Sequence, residues 1–243
     1  LLMLISKKHK FIFFKPMKCA GSSIESGLYN YCGANDLCSG GLTVDNVIEY
    51  KQMGDIRFGQ HRDPEHFFRI SKLIDHYKKL DFSDYRKITV IRNPWDQMIS
   101  FYWWYTNNKL EIDVSKELII NENDNRGEVV KKFKGFLNTV YQTKINNDHG
   151  KNLIIEELAN KNQKFIHSSI TDYLMFENLK SDYQKLIIDM NLSANPKKLK
   201  KFKSKIRKLK YHYSFYYDDQ SKKQVSKAYK KTIDKFNYRY IEE

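Results

Sequence analysis

The feature that most constrains this chain is residues 10–31, KFIFFKPMKCAGSSIESGLYNY. Phe11, Ile12, Phe13 and Phe14 leave no polar face, the pattern of a strand buried on both sides in a parallel sheet, and Pro16 stops it. Residues 15–23 then carry two lysines, a glycine and two serines, after which Ile24, Leu28 and Tyr31 recur at helical spacing. A strand, a short basic loop and a helix in that order form an anion cradle. The helix N-terminus presents backbone N–H groups and the positive end of its dipole above the strand's carboxyl end. Lys18 adds a mobile charge, Gly21 permits close backbone approach, and Ser22 and Ser23 can either cap the helix or donate to phosphate-type oxygens. The plainer alternative is an ordinary strand-to-helix connection with a serine cap.

A second stretch decides against that alternative. Residues 88–106, ITVIRNPWDQMISFYWWYT, again pass from an apolar strand (88–91) through a proline-marked turn into an amphipathic helix bearing Met98, Ile99 and Tyr102. The first residue beyond this strand is Arg92. A nucleotide kinase would follow such a strand with an Asp for Mg²⁺, and its first loop would read GxxxxGK[ST]; neither is present. Two cationic strand ends suit a ligand with two separate anionic groups and no metal.

KPMKCAGSSIE resembles the 5′-phosphosulfate loop of sulfotransferases that use 3′-phosphoadenosine 5′-phosphosulfate (PAPS). IRNPWDQMISFYWW resembles their 3′-phosphate motif, an Arg followed eight residues later by a Ser. ITDYLMFENLKSDYQKL (170–186) and YHYSFYYDDQSKKQVSKAYKKTIDKFNYRY (211–240) resemble further family segments, in the same order, and the likeness is to the soluble bacterial-type branch related to carbohydrate sulfotransferases. The resemblance implies a P-loop-like three-layer α/β fold, with a central parallel sheet flanked by helices, and PAPS as donor with PAP as product. It also implies roles: Lys18 at the leaving oxygen, with Lys15, Cys19, Ala20, Gly21, Ser22 and Ser23 around the 5′-phosphate. Arg92 and Ser100 take the 3′-phosphate, and Arg207 lies in a basic segment that closes over the nucleotide. Gln97 stands where relatives often carry Arg, and Cys19 and Ser22 replace commoner loop residues.

The 243 residues, 41% hydrophobic and 14% aromatic, suffice for one substantial core, so a single domain over 1–243 is expected. The run LLMLIS is too short for a membrane span or a secretory h-region. Cys19, Cys32 and Cys38 are odd in number and lack zinc-site spacing, pointing to reduced thiols and a cytoplasmic location. Cys19, beside Lys18 at a helix start, is either a reactive thiol of lowered pKa or a small residue that fits the loop. A net charge of +14 implies polyanionic partners, among which nucleotide and acidic glycan fit better than nucleic acid because no nucleic-acid motif occurs.

His61, in a Gly-Gln-His turn before a helix opened by Pro64, is the candidate general base that the resemblance implies; the alternative is a loop-orienting histidine, and His66 is its local competitor. Residues 107–128 are polar and weakly patterned, as for an acceptor-side insertion or lid. A helix is expected through Val130, Phe133, Leu137, Val140 and Tyr141. The aromatic run 101–105 either stacks on adenine or a sugar or, as its composition favours, packs in the core. Near Tyr173 a strand leads into Glu177, with a structural role, and a helix. Nine of the fourteen residues 197–210 are Lys or Arg, in either a basic helix or a loop, and 219–238 reads as one surface helix. The function expected is metal-independent sulfuryl transfer from PAPS to a hydroxyl or amine, with a carbohydrate or glycan as acceptor. A non-catalytic nucleotide- or polyanion-binding module is the alternative.

Overall fold

The computed structural model describes residues 3–32, 36–38, 81–107, 116–142, 151–200 and 206–243. They fall into two compact units, Leu1–Ile91 with His167–Phe202 and Arg92–Ile166 with Lys203–Glu243.

The first unit is a mixed sheet with helices. Its strands are β1 (Met3–Ser6), β2 (Phe11–Phe14), β3 (Leu37–Cys38), β4 (Arg86–Ile91) and β7 (Asp172–Met175), in the order β3-β1-β2-β4-β7. β2, β4 and β7 run parallel, with Phe13 opposite Ile88 and Val90 opposite Leu174. β1 pairs antiparallel with both β2 and β3, so the expected all-parallel sheet is corrected to a parallel centre with an antiparallel edge. The four-residue turn at 7–10 that reverses the chain has Lys10 at φ 50°. The buried Asp36 carboxylate gathers the hydroxyl of Ser6 at 2.6 Å and the N–H of Lys7 at 2.7 Å beside that turn.

Phe11, Ile12 and Phe13 are all buried, as a strand covered on both faces requires. Leu4, Phe11, Phe13, Ile88, Val90 and Leu174 form one core cluster with Ile24 and Leu28 of α1 (Gly21–Tyr29) and with Tyr183, Leu186 and Ile187 of α5 (Leu179–Asp189). The Arg86 guanidinium grips Asp172 through two nitrogens, tying β4 to β7. A 3₁₀ turn, Phe176–Asn178, joins β7 to α5 with Glu177 exposed.

The second unit is built on α2 (Pro94–Asn107), α3 (Arg126–Leu137) and the C-terminal helices. Phe101, Tyr102, Trp103 and Tyr105 are buried, and Tyr102 meets Phe133 and Phe136 edge-on, so the aromatic run is core and not a stacking platform. Trp103 Nε1–H donates to the Tyr216 hydroxyl at 3.2 Å. Asn125 and Glu128 form a capping box that starts α3. The helix expected through Tyr141 ends at Leu137: residues Val140–Gln142 are instead β5, paired antiparallel with β6 (Lys151–Leu153), which leads into α4 (Ile154–Gln163). Val140 and Tyr141 are strand formers, so the apolar spacing that suggested helix serves a hairpin. The single helix expected over 219–238 is two, α6 (Asp219–Ala228) and α7 (Lys230–Phe236), broken at Tyr229. Tyr229 is wholly buried with its hydroxyl 3.8 Å from Met98 sulfur, and its backbone leaves helical geometry at φ −100°, ψ 19°. No helix among the described residues is long and apolar enough to cross a membrane.

Candidate functional site

Because β2 and β4 are hydrogen-bonded parallel neighbours, their carboxyl ends lie at the same end of the sheet. The first passes from Phe14 to α1. Lys18 and Ala20 both have left-handed backbones, at φ 61° and 55°, while Cys19 between them does not. Positive φ on both sides of one residue is a backbone arrangement suited to an N–H nest, a concavity for anions, and non-glycine residues hold it only against strain. Ala20 is the N-cap of α1 and supplies no side-chain cap; the first helical bonds run from the N–H groups of Ser23 (2.9 Å) and Ile24 (3.3 Å) to its carbonyl. The N–H groups of Gly21 and Ser22 precede those bonds and belong to the helix's open first turn. This corrects one reading of the serines: they lie inside the helix, so neither caps it.

The loop is shored up by a buried ion pair. Lys15 Nζ lies 2.6 Å from Glu25 Oε2, with side chains 10% and 1% exposed. Gly21 packs so closely on Lys15 that an added Cβ would fall 2.6 Å from its Cγ and 3.3 Å from the Pro16 carbonyl. Lys15 therefore holds the loop's shape. The Cys19 thiol is buried in the core cluster and donates to the Met17 carbonyl at 3.4 Å, which supports the small packing residue over the reactive thiol. Lys18 and Ser22 are half-buried, and Ser23 is buried.

After β4, the second segment is arranged differently. Asn93 Oδ1 accepts from the N–H groups of Trp95 (3.0 Å) and Asp96 (3.2 Å), so α2 has a side-chain cap, with Pro94 at its first position. Arg92 turns its Nε and Nη2 onto Asp96 Oδ2, at 2.8 and 2.5 Å. Arg207, distant in sequence, places Nη1 3.0 Å from Asp96 Oδ1. Its Nε donates to the Leu209 carbonyl at 3.1 Å, its Nη2 donates to the Tyr211 carbonyl, and its guanidinium lies 5.4 Å from the Tyr216 ring. Burial raises the Tyr216 phenol's pKa, against the opposing pull of its bond to Trp103 and of the Arg207 charge. Two arginines chosen independently from the sequence thus meet on one carboxylate, whose role sequence reasoning missed. The i, i+4 spacing of Arg92 and Asp96 is its only sequence signal. Ser100, half-buried, is one turn further along α2.

The flanking 206–210 is irregular backbone, as are 197–200, which favours the loop reading of the basic stretch in its described parts. His61, His66 and the helix opened by Pro64 lie outside the described residues. His167 and His212 bond locally to Ser169 and Ser214. A cavity of about 820 Å³ in the second unit, lined among others by Arg126, Phe215, Lys222 and Tyr240, contains none of the candidate residues.

No curated protein and no solved structure matches the chain. The sulfotransferase family does, over residues 2–243, so the match takes in both strand-to-helix segments and Arg207. The chain belongs to the sulfotransferase family.

Proposed function

We propose that this protein transfers a sulfuryl group from PAPS to a hydroxyl or amine acceptor, in line and without a metal ion. The observation that carries the reading is the first loop: an uncapped helix start preceded by an alternating left-handed backbone that carries Lys18, in a chain of the sulfotransferase family. Lys18 supplies a cation where negative charge gathers on the leaving 5′-phosphate oxygen, and the N–H groups of 19–22 with the hydroxyls of Ser22 and Ser23 hold that phosphate. Lys15, through Glu25, keeps the loop in shape. Arg92, Ser100 and Arg207 hold the 3′-phosphate, and His61 takes the acceptor's proton. The parallel strands β2, β4 and β7 packed with α1 and α5 are what supports a P-loop-like three-layer fold; a single domain over 1–243 with 107–128 as the acceptor-side insertion is part of the same proposal. A net charge of +14 favours an anionic carbohydrate or glycan as acceptor. Three cysteines, odd in number and without zinc-site spacing, favour a reducing, cytoplasmic compartment.

The test is a thermal-shift series with PAP, ATP with Mg²⁺, and heparin, joined to transfer assays with labelled PAPS against a panel of glycans and small alcohols. The reading requires a strong shift with PAP; a shift with heparin alone favours the non-catalytic polyanion binder. Lys18→Ala should lose about 3 kcal/mol of transition-state stabilisation, roughly a hundredfold in rate. His61→Ala should keep PAP affinity and lose transfer. Full turnover by Lys18→Ala overturns the assignment.

A further inference from the structure

We infer that Asp96 is a positioning residue that sets Arg92 and Arg207 as a preformed pair for one phosphate monoester; this rests on the donor reading above. Two guanidinium groups repel at the separation that one carboxylate imposes, and long side chains would otherwise spread into solvent. Asp96 removes that repulsion by giving one oxygen to each arginine, Oδ2 to Arg92 and Oδ1 to Arg207. Arg207 is fixed from three further directions, by the carbonyls of Leu209 and Tyr211 and by the face of Tyr216. The carboxylate thus joins the start of α2 to 206–211, and a phosphate that binds Arg92 meets Arg207 already in place. The Arg92 and Arg207 side chains are 11% and 24% exposed, so each keeps a small surface within a ligand's reach.

Removing this charge has two opposed effects. It adds one net positive charge, which tightens any anion, and it releases two arginines, which weakens only a ligand that needs both. On the donor reading the second effect falls on the 3′-phosphate alone. PAP and adenosine 5′-phosphate, which lacks that group, therefore separate them. Both are titrated calorimetrically against the wild type, Asp96→Asn, Asp96→Glu and Arg207→Lys, with melting temperatures as a second readout. Asp96→Asn should weaken PAP about tenfold or more, bind adenosine 5′-phosphate as tightly as the wild type or slightly tighter, and be partly rescued in Asp96→Glu. Arg207→Lys keeps the charge, loses the multiple contacts, and should likewise lower PAP affinity alone; it carries the test if Asp96→Asn does not fold. PAP bound by Asp96→Asn as tightly as by the wild type, or equal losses for both nucleotides, overturns the inference. Wild-type protein that does not bind PAP overturns the donor reading and takes this inference with it.

Discussion

The two strand-to-helix segments look alike in sequence, yet they are built differently, and on the proposed reading they hold negative charge by different means. At the first, α1 begins without a side-chain cap on two left-handed residues, and the carboxylate nearby, Glu25, is buried against Lys15. At the second, Asn93 caps α2, and the carboxylate, Asp96, is partly exposed between two arginines. One site is made of backbone and the other of side chains. Backbone donors need a rigid scaffold and cost no rotamer entropy, whereas side-chain donors need an internal counter-ion to hold them together.

The comparison breaks first at the carboxylates. Glu25→Gln leaves the Lys15 charge buried with only an amide oxygen to face it, and should cost about 3 kcal/mol in urea unfolding. Asp96→Asn removes the same kind of charge from a more exposed pair and should cost about 1 kcal/mol. Equal losses would mean that the two carboxylates do the same work. Gly21→Ala comes next. Its Cβ would press on Lys15 Cγ at 2.6 Å, and Lys15 cannot swing away because its ammonium is held by Glu25. A loss of about 1–3 kcal/mol is expected, the usual range for overpacking, measured the same way. A neutral Gly21→Ala would place the loop further from Lys15.

Much of the scaffold was legible because its strands announce themselves. Phe11–Phe14 is an unbroken apolar run and 88–91 is interrupted only by Thr89; each is followed within three residues by proline, which cannot continue a ladder. β1 was not legible as a strand: LLMLIS shows neither alternation nor a turn signal beyond being apolar, and its pairing partners are set by a reversal at Lys10. The break at Tyr229 was hidden because Val225, Tyr229 and Ile233 keep helical spacing across it. At the sites, the cations were visible and their counter-ions were not. The Lys15–Glu25 pair was not legible because Glu25, ten residues on across a loop, follows no periodicity that pairs them. The tie from Asp96 to Arg207 spans 111 residues and is a product of tertiary folding alone.

The smallest effect gives the sharpest reading of the first loop. Ala20 sits at φ 55°, ψ 24°, where a Cβ crowds the following carbonyl by about 1–2 kcal/mol and glycine does not. Against that relief, Ala20→Gly makes the unfolded chain more flexible, at a cost of about 0.4–1 kcal/mol. Glycine is also the better N-cap of the two. The balance is a gain of roughly 0.5–1 kcal/mol, a rare case of a helix-start Ala→Gly change that stabilises. If the loop holds its anion through N–H groups that Ala and Gly share, as proposed, PAP affinity should stay within about twofold in calorimetry. Loss of stability would show that the left-handed turn is not the solution conformation; a gain in stability with PAP binding lost would show that the Ala20 methyl itself touches the ligand, and the first site would then be no more a backbone site than the second.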